Sequence, residues 1–485
     1  MTVKFKRALS ILISAALLFA VVPLSFAADA EPDNISKLNE LMEFSSALYE
    51  MTSRYSVKVT AKDCLADPYS TARLIVKSWK KLDYSGSVAY VNGHNGLHII
   101  QYRTPDEARA AAERYEKQRN VEYVTADKIF SVCMEPGSES FLSWGFGKDY
   151  IGTYAYAEAL LESVGGLENL PSITVAVVDT GVDLDHPFLK SRIVSGGWDF
   201  VNNDGVPDDD FYHGTHVAGT VVDGTLPNVK IMPIKCMDNT GDGTTANIAL
   251  AMEYAYLKGC SVANVSIIGY DPSGDQLYSD VINAGSDSGC VYCAAAGNFS
   301  YDAGYFIPAK IERCCTVAAH DENKNLAAFS NYGSCVDITA PGVNIYSCWI
   351  GGGYNYEDGT SMATPHVSAA CAMIRSFRPE LSADETIDTI KSMAVDVGIV
   401  GGGTGILRLD PAFITGYQPP EILLGDVDMN GVVNANDALM LMRYTLGLIP
   451  ESALDIMAAD YDENGTVNAN DALAIFRRAL GLSNH

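Results

Sequence analysis

Three residue types that cooperate in nucleophilic catalysis stand far apart in this 485-residue chain. Asp179 opens Asp179-Thr180-Gly181, directly after the apolar run ITVAVV. His213 opens His213-Gly-Thr-His216-Val-Ala-Gly-Thr220, and Ser361 sits in Gly359-Thr-Ser361-Met-Ala-Thr-Pro365-His. A serine hydroxyl is a poor nucleophile until a base takes its proton. An imidazole can take that proton and return it to a leaving amine, while a carboxylate holds the ring in the right tautomer. Each motif alone is bland. An aspartate after a strand is usually a turn residue, and Gly-Thr-Ser before a helix is usually an N-cap. Together the three suggest acyl transfer. His216, three residues after His213, reads as a packing or hydrogen-bonding residue, and His366 as a helix residue.

These side chains need elements to position them. Apolar runs at Ile173–Val178, Ile231–Ile234, Val262–Ile267, Val291–Ala296 and Cys315–Ala319 alternate with helical segments. That pattern predicts parallel strands with crossover helices, an α/β layered domain over 145–415. Asp179 then lies at the carboxyl end of a buried strand, where open α/β sheets bind ligands. Ser361 precedes an apolar helical stretch from Met362 to Phe377. A helix N-terminus offers free N–H groups and partial positive charge to a developing oxyanion.

The three motifs, in the order Asp, His, Ser, resemble the subtilase family of serine peptidases. The resemblance covers roughly residues 140–415. It implies a subtilisin-like three-layer domain with a mostly parallel sheet, and an endopeptidase working through Asp179, His213 and Ser361 without a cofactor. Asn298, in Ala294-Ala-Ala-Gly297-Asn298, matches the family's side-chain oxyanion donor. An extended polypeptide substrate is expected to add as a strand between Gly241-Asp242-Gly243 and Ser266-Ile267-Ile268. There are two departures. Ile268 stands where the family often has glycine, which narrows the adjoining pocket. Phe188 stands where many members place a calcium-binding aspartate, and the loop Asp223–Lys230 is short. The usual calcium site of the catalytic domain is therefore expected to be missing.

The chain start reads as a secretory signal peptide, residues 1–27. Lys4, Lys6 and Arg7 precede an apolar run of about 15 residues, short of the ~20 that span a bilayer, and Ser-Phe-Ala ends at 27. No later stretch is long and apolar enough to span. Residues 28–140 read as a small α+β unit. Gly96 to Tyr102 suggests a strand, Thr104 an N-cap with Pro105 and Glu107 forming a capping box, and Ala108 to Tyr115 a helix. Val121 to Val132 returns to strand-like residues. Placed before such a domain, the unit resembles the inhibitor-like propeptide of secreted subtilases, which implies transient self-inhibition and a cut between Cys133 and Trp144. Secretion to the exterior or to a cell-surface scaffold follows.

Residues 416–422 read as a linker, and 423–485 hold a repeat of period 34, with NANDAL at 434–439 and again at 468–473. Asp426, Asp428, Asn430 and Asp437 take calcium-loop positions 1, 3, 5 and 12, and Asp460, Asp462, Asn464 and Asp471 repeat them. Val432 and Thr466 would supply carbonyls at position 7, with Asn434 and Asn468 at position 9. Position 12 is Asp rather than Glu, and no entering helix precedes either loop. Helices are expected at Ala438–Leu446 and Ala472–Leu480. These loop–helix pairs resemble a type I dockerin, a small all-α module. The resemblance implies two calcium ions and a cohesin domain of a scaffoldin as partner, as in a cellulosome. Ala435, Asn436, Met442 and Arg443, with Ala469, Asn470, Phe476 and Arg477, are the expected contacts.

Sixty acidic against 33 basic residues give a net charge of −27. So acidic a chain repels polyanions, which argues against nucleic acid as partner. Eleven cysteines are too sparse for a disulfide scaffold. Cys290-Val-Tyr-Cys293 lacks a partner pair for zinc, and most cysteines lie in apolar runs as buried thiols. Two functions stand side by side: an active endopeptidase anchored to a scaffold, or a catalytically silent subtilase-fold protein that binds or regulates there.

Overall fold

A computed structural model describes residues 32–54, 67–132, 135–136, 143–272, 276–415, 423–428, 432–446, 449, 454, 456–462 and 467–479. The expected signal peptide, the 416–422 linker, Cys64, Cys133, Asn430, Asn464 and Thr466 lie outside the described residues. The chain divides into two compact units, one ending at Ile414 and one beginning at Thr415.

The first unit begins with helix α1 (Pro32–Arg54), strands β1 (Arg73–Lys77), β2 (Ala89–Asn92) and β3 (Leu97–Gln101), helix α2 (Pro105–Glu116) and strand β4 (Tyr123–Ala126). The strands form an antiparallel sheet of order β2-β3-β1-β4. Helix α2 starts as expected: Thr104 Oγ1 accepts from the Glu107 N–H at 3.2 Å. The capping box is only half formed, because Glu107 accepts from the N–H of Arg103, not of Thr104. The stretch read as Val121–Val132 splits. Strand β4 joins the small sheet, whereas β5 (Ile129–Val132) and the two-residue β6 (Glu135–Pro136) pair with strands of the larger domain.

The larger domain follows. In chain order it holds α3 (Thr153–Val164), β7 (Ile173–Asp179), β8 (Trp198–Asp199), α4 (His213–Asp223), β9 (Val229–Lys235), β10 (Asp242–Thr244) and α5 (Thr245–Leu257). Next come β11 (Val262–Val265), β12 (Ile267–Tyr270), α6 (Gln276–Asp287), β13 (Val291–Ala295), β14 (Phe306–Ile307), β15 (Cys314–His320) and β16 (Ile338–Pro341). Strands β17 (Ile345–Trp349) and β18 (Gly353–Asp358) and helices α7 (Thr360–Phe377), α8 (Ala383–Met393) and α9 (Ala412–Thr415) complete the unit.

Seven strands form one parallel sheet of order β16-β15-β13-β11-β7-β9-β8. Its strands are buried on both faces, and β7 shows how. Val175 and Val177 join the core shared with α4 and α7, while Ala176 and Val178 join the core shared with α5 and α6. Two such cores around one sheet make three layers, the α/β arrangement that the run pattern predicts.

The expected strand Val262–Ile267 breaks at Ser266, between β11 and β12, where the chain leaves the main sheet. Strand β16 escaped the sequence reading. Its four residues end in proline, a weak strand signal that burial beside β15 overrides. Among the described residues the thiols are buried, as expected for most of them, and Cys335 is half-buried. The second unit contains α10 (Ala435–Thr445), the short α11 (Ile456–Ala459) and α12 (Ala469–Ala479), closed around Val427, Ala438, Leu441, Ala459, Ala472 and Ile475.

Candidate active site

Strand β7 delivers Asp179 at its last position, and α4 begins with His213; both are fully buried. His213 Nδ1 donates to Asp179 Oδ1 at 2.6 Å. The same oxygen accepts from the Thr180 N–H at 2.8 Å. Holding Nδ1 as the donor makes Nε2 the acceptor, and Nε2 is buried with no hydrogen-bond partner among the described residues. A buried acceptor without a partner is costly unless a ligand or a reacting group supplies one.

Ser361 lies in the first turn of α7. Pro365 sits inside this helix and has no N–H to give to the carbonyl of Ser361, four residues earlier. That carbonyl accepts instead from Ser266 Oγ at 2.9 Å. In return Ser361 Oγ donates to the carbonyl of Ser266 at 2.9 Å. The serine hydroxyl is thus parked on the backbone rather than on the imidazole. Rotation about its Cα–Cβ bond moves it between staggered positions, and catalytic hydrogen bonds often form only with substrate bound.

Asn298 stands just after β13. Its Oδ1 accepts from the N–H and the hydroxyl of Thr360, at 2.9 and 2.8 Å. Those two bonds fix the amide and leave Nδ2 buried without an acceptor among the described residues. Asn298 and the first turn of α7 are therefore joined.

Strand β5 runs antiparallel between β10 and β12. Phe130 is opposite Gly243, Ser131 opposite Ile268, and Val132 opposite Ile267. Gly243, Ile267 and Ile268 thus pair along the backbone with β5, a segment of this same chain. Among the described residues Gly241 and Ser266 have no partner in β5: Gly241 lies in the turn before β10, and Ser266 holds Ser361. Strand β6 pairs with β18, Pro136 opposite Glu357 and Glu135 opposite Asp358.

Several residues of the site escaped the sequence reading. Asp209 accepts from Thr180 Oγ1, the Phe211 and Tyr212 N–H groups and Thr215, tying the end of β7 to the start of α4. Burial pushes its carboxyl up, and these donors pull it back. Lys235 is buried and donates to the Thr180 carbonyl and to Asp210 Oδ1, each at 2.6 Å. A lysine inside the apolar run VKIMPIK was the available signal for it. Burial raises the Glu357 carboxyl to about 7, against the opposing pull of His213. His216 and His366 are interior, as expected. Burial lowers each to about 3, so both stay neutral, bound to the Ile345 carbonyl and to Met362 and Ser143 respectively. Phe188, half-buried, packs against the main core.

In the second unit the carboxylates of Asp426, Asp428 and Asp437 lie within 4.8 Å of one another, as do those of Asp460, Asp462 and Asp471. Like charges this close repel, and a bound cation would offset that repulsion. Asp437 and Asp471 are fully buried and also hold the loops, accepting from the N–H groups of Asn434 and Asn468 at 2.8 and 2.9 Å. The side chains of Asn434 and Asn468 each accept an N–H of the following helix at 2.8 Å, so both act as caps. Both trios suit a hard, oxygen-seeking ion. Ala435, Asn436 and Arg443, and Ala469, Asn470, Phe476 and Arg477, are exposed, whereas Met442 is half-buried.

Residues 171–412 match the model of the subtilase family, and residues 424–480 match that of the dockerin type I domain. The chain is 38% identical over 266 residues to the thermophilic serine proteinase of Bacillus sp. (strain AK1), a match covering 53% of this chain and 63% of that protein. It is 38% identical over 255 residues to subtilisin DY of Bacillus licheniformis, covering 50% of this chain and 90% of that one. The chain belongs to the subtilase family. It is also 39% identical over 211 residues to thermitase of Thermoactinomyces vulgaris, covering 42% of this chain and 74% of that one. The larger domain of the first unit is thus that of a subtilisin-like serine endopeptidase, and the second unit is a dockerin.

Gly214 sets the spacing inside the subtilase site. A Cβ there would lie 2.0 Å from the Gly181 carbonyl oxygen and 3.1 Å from Asp179 Cβ. Gly214→Ala must push α4 away from β7. An active-site-directed fluorophosphonate is expected to label Ser361 about 100-fold more slowly in this variant. Unchanged labelling with unchanged circular dichroism would count against the role given to this contact.

Proposed function

We propose that the protein is made as a self-inhibited, secreted precursor and matures into a serine endopeptidase held on a scaffold by its dockerin. In this reading residues 1–27 are the signal, 28–140 the inhibitor-like propeptide, 141–415 the catalytic domain, 416–422 the linker and 423–485 the dockerin. The observation that carries it is the antiparallel seat of β5 between β10 and β12. Strand addition is how an extended polypeptide is gripped without regard to most of its side chains.

Ser361 Oγ attacks the carbonyl carbon of the scissile bond while His213 Nε2 takes the hydroxyl proton. Asp179 holds the imidazolium. The tetrahedral oxygen is met by Asn298 Nδ2 and by the N-terminal turn of α7. The C–N bond then breaks, His213 returns the proton to the leaving amine, and water hydrolyses the acyl ester by the same route in reverse. Metal and cofactor have no part in these steps. The orphaned Nε2 of His213 and Nδ2 of Asn298 favour this over a silent binding protein, because each is a buried polar atom aligned by its partners and left without one.

The segment before the catalytic domain is well placed to inhibit. Asp127 accepts from the Ala246 N–H in the first turn of α5 at 3.3 Å, and Lys128 pairs with Asp271 at 2.5 Å. Leu41, Phe44 and Leu48 of α1 join one apolar cluster with α5. In the dockerin, Asp426, Asp428 and Asp437, with Asn430 and the Val432 carbonyl, would hold one calcium ion. Asp460, Asp462 and Asp471, with Asn464 and the Thr466 carbonyl, would hold a second. The exposed faces of α10 and α12 would then meet a cohesin in either of two orientations.

Three outcomes test this. In a protease-free host the wild type is expected to mature to an N-terminus between Cys133 and Trp144, and Ser361→Ala to accumulate uncut; equally fast maturation of both would refute self-processing. Asn298→Ala is expected to lose about 10²–10³-fold in kcat with KM little moved; kcat retained within error would remove Asn298 from the mechanism. Calcium chelation is expected to abolish cohesin pull-down and reduce helical circular dichroism while peptide cleavage persists. Pull-down that survives chelation would be evidence against calcium-folded loops.

A further inference from the structure

The seat of β5 also identifies which side chain a substrate presents beside Ser361. Val132 is opposite Ile267, and Ser131 opposite Ile268. Continuing that antiparallel register by one residue sets the next substrate residue against Ser266. The carbonyl of Ser266 accepts the hydroxyl of Ser361. A substrate residue there carries the carbonyl nearest the nucleophile, so its side chain is the one on the acyl side of the cut.

Two backbone segments bound the space next to that residue. One is Ser266–Ile268. The other is Ala295–Asn298, which is fastened to the serine turn because the Gly297 N–H donates to Thr360 Oγ1 at 3.0 Å and Asn298 accepts from Thr360. The gap between the two is not open. A Cβ placed on Gly297 would lie 2.5 Å from Cδ1 of Ile268, so the isoleucine side chain reaches across and rests on the opposite wall. Ile268, Ala295 and Phe306 form one cluster, buried here with β5 seated beside Ile268. Phe306 arrives from β14, where it is paired with Tyr270. Its ring is held by Phe299, stacked at 5.3 Å, and by Tyr270, edge-on at 5.7 Å. The slot is therefore filled with hydrocarbon from two sides, and the second plug is anchored by its own aromatic neighbours. A packed cluster resists an added side chain, because extra methylenes force shifts in close-packed neighbours.

We infer that Ile268 and Phe306 together fill the acyl-side pocket, so that the enzyme cuts after small residues such as glycine, alanine and serine and rejects leucine and phenylalanine. This rests on the endopeptidase reading and adds to it a substrate class. Phe306 is the residue the sequence did not disclose. Its partner Ile268 is 38 positions away in the chain, and the pairing of β12 with β14 brings the two into one packed cluster.

The test uses the matured chain, dockerin included, and quenched fluorescent peptides that differ only at the acyl-side residue: Gly, Ala, Ser, Leu or Phe. The alanine peptide is expected to exceed the phenylalanine peptide in kcat/KM by at least about 10-fold. Ile268→Gly is expected to raise the phenylalanine-to-alanine ratio by at least about 10-fold. Ile268→Ala, which keeps a Cβ and a more restrained backbone, is expected to move it in the same direction and guards against a glycine variant that folds poorly. Leucine or phenylalanine peptides cut as well as alanine by the wild type would overturn the proposal, as would active variants with the wild-type ratio. Cleavage of none of the peptides, with no fluorophosphonate label on Ser361, would sink the endopeptidase reading and this inference with it.

Discussion

A carboxylate buried at the end of a strand has to be stabilised by its neighbours, and at Asp179 the neighbours are the site. Taking a carboxylate out of water is expensive unless donors replace the solvent. Here the donors are the imidazole of His213 and the N–H of Thr180. The bond to His213 spans 34 positions of sequence and requires α4 to start where β7 ends. Asp209 enforces that meeting by accepting from both elements, and Lys235 braces the turn beneath. The parallel sheet and its two cores hold these strand and helix ends at fixed spacing.

The same geometry governs what enters the cleft. The main-chain groups of β10 and β12 are satisfied by an antiparallel guest, and β5 is that guest in this chain. The break at Ser266 separates two tasks that a continuous strand would confuse. Residues after it pair with β5, while Ser266 itself exchanges two hydrogen bonds with Ser361. Pro365 makes the exchange necessary by leaving the Ser361 carbonyl without its helical donor. β5 thus takes up backbone groups that the proposed substrate would also need, which is what the inhibitory reading proposed for the N-terminal segment requires.

The dockerin is governed by a different constraint. It is a small unit with a modest apolar cluster, and its charged loops oppose closure. A protein this size commonly relies on a metal or a cross-link to make up for a thin core. Asp437 and Asp471 link the two needs, since each belongs to a carboxylate trio and also ties down the backbone of its own loop.

The sequence alone determined the three motifs, the alternation that demanded a parallel layered domain and the repeated acidic loops. Those features are local: they depend on residue type, spacing and periodicity, which a linear string preserves. Only the tertiary structure decided that β16 exists, that Val121–Val132 divides between two sheets, that Asp209 and Lys235 brace the site, and that Phe306 meets Ile268. These depend on burial and on contacts between segments far apart in the chain. A weak strand beside a buried neighbour, a lysine among apolar residues or a phenylalanine in a two-residue strand acquires its meaning from what packs against it, and no periodicity in the string records that.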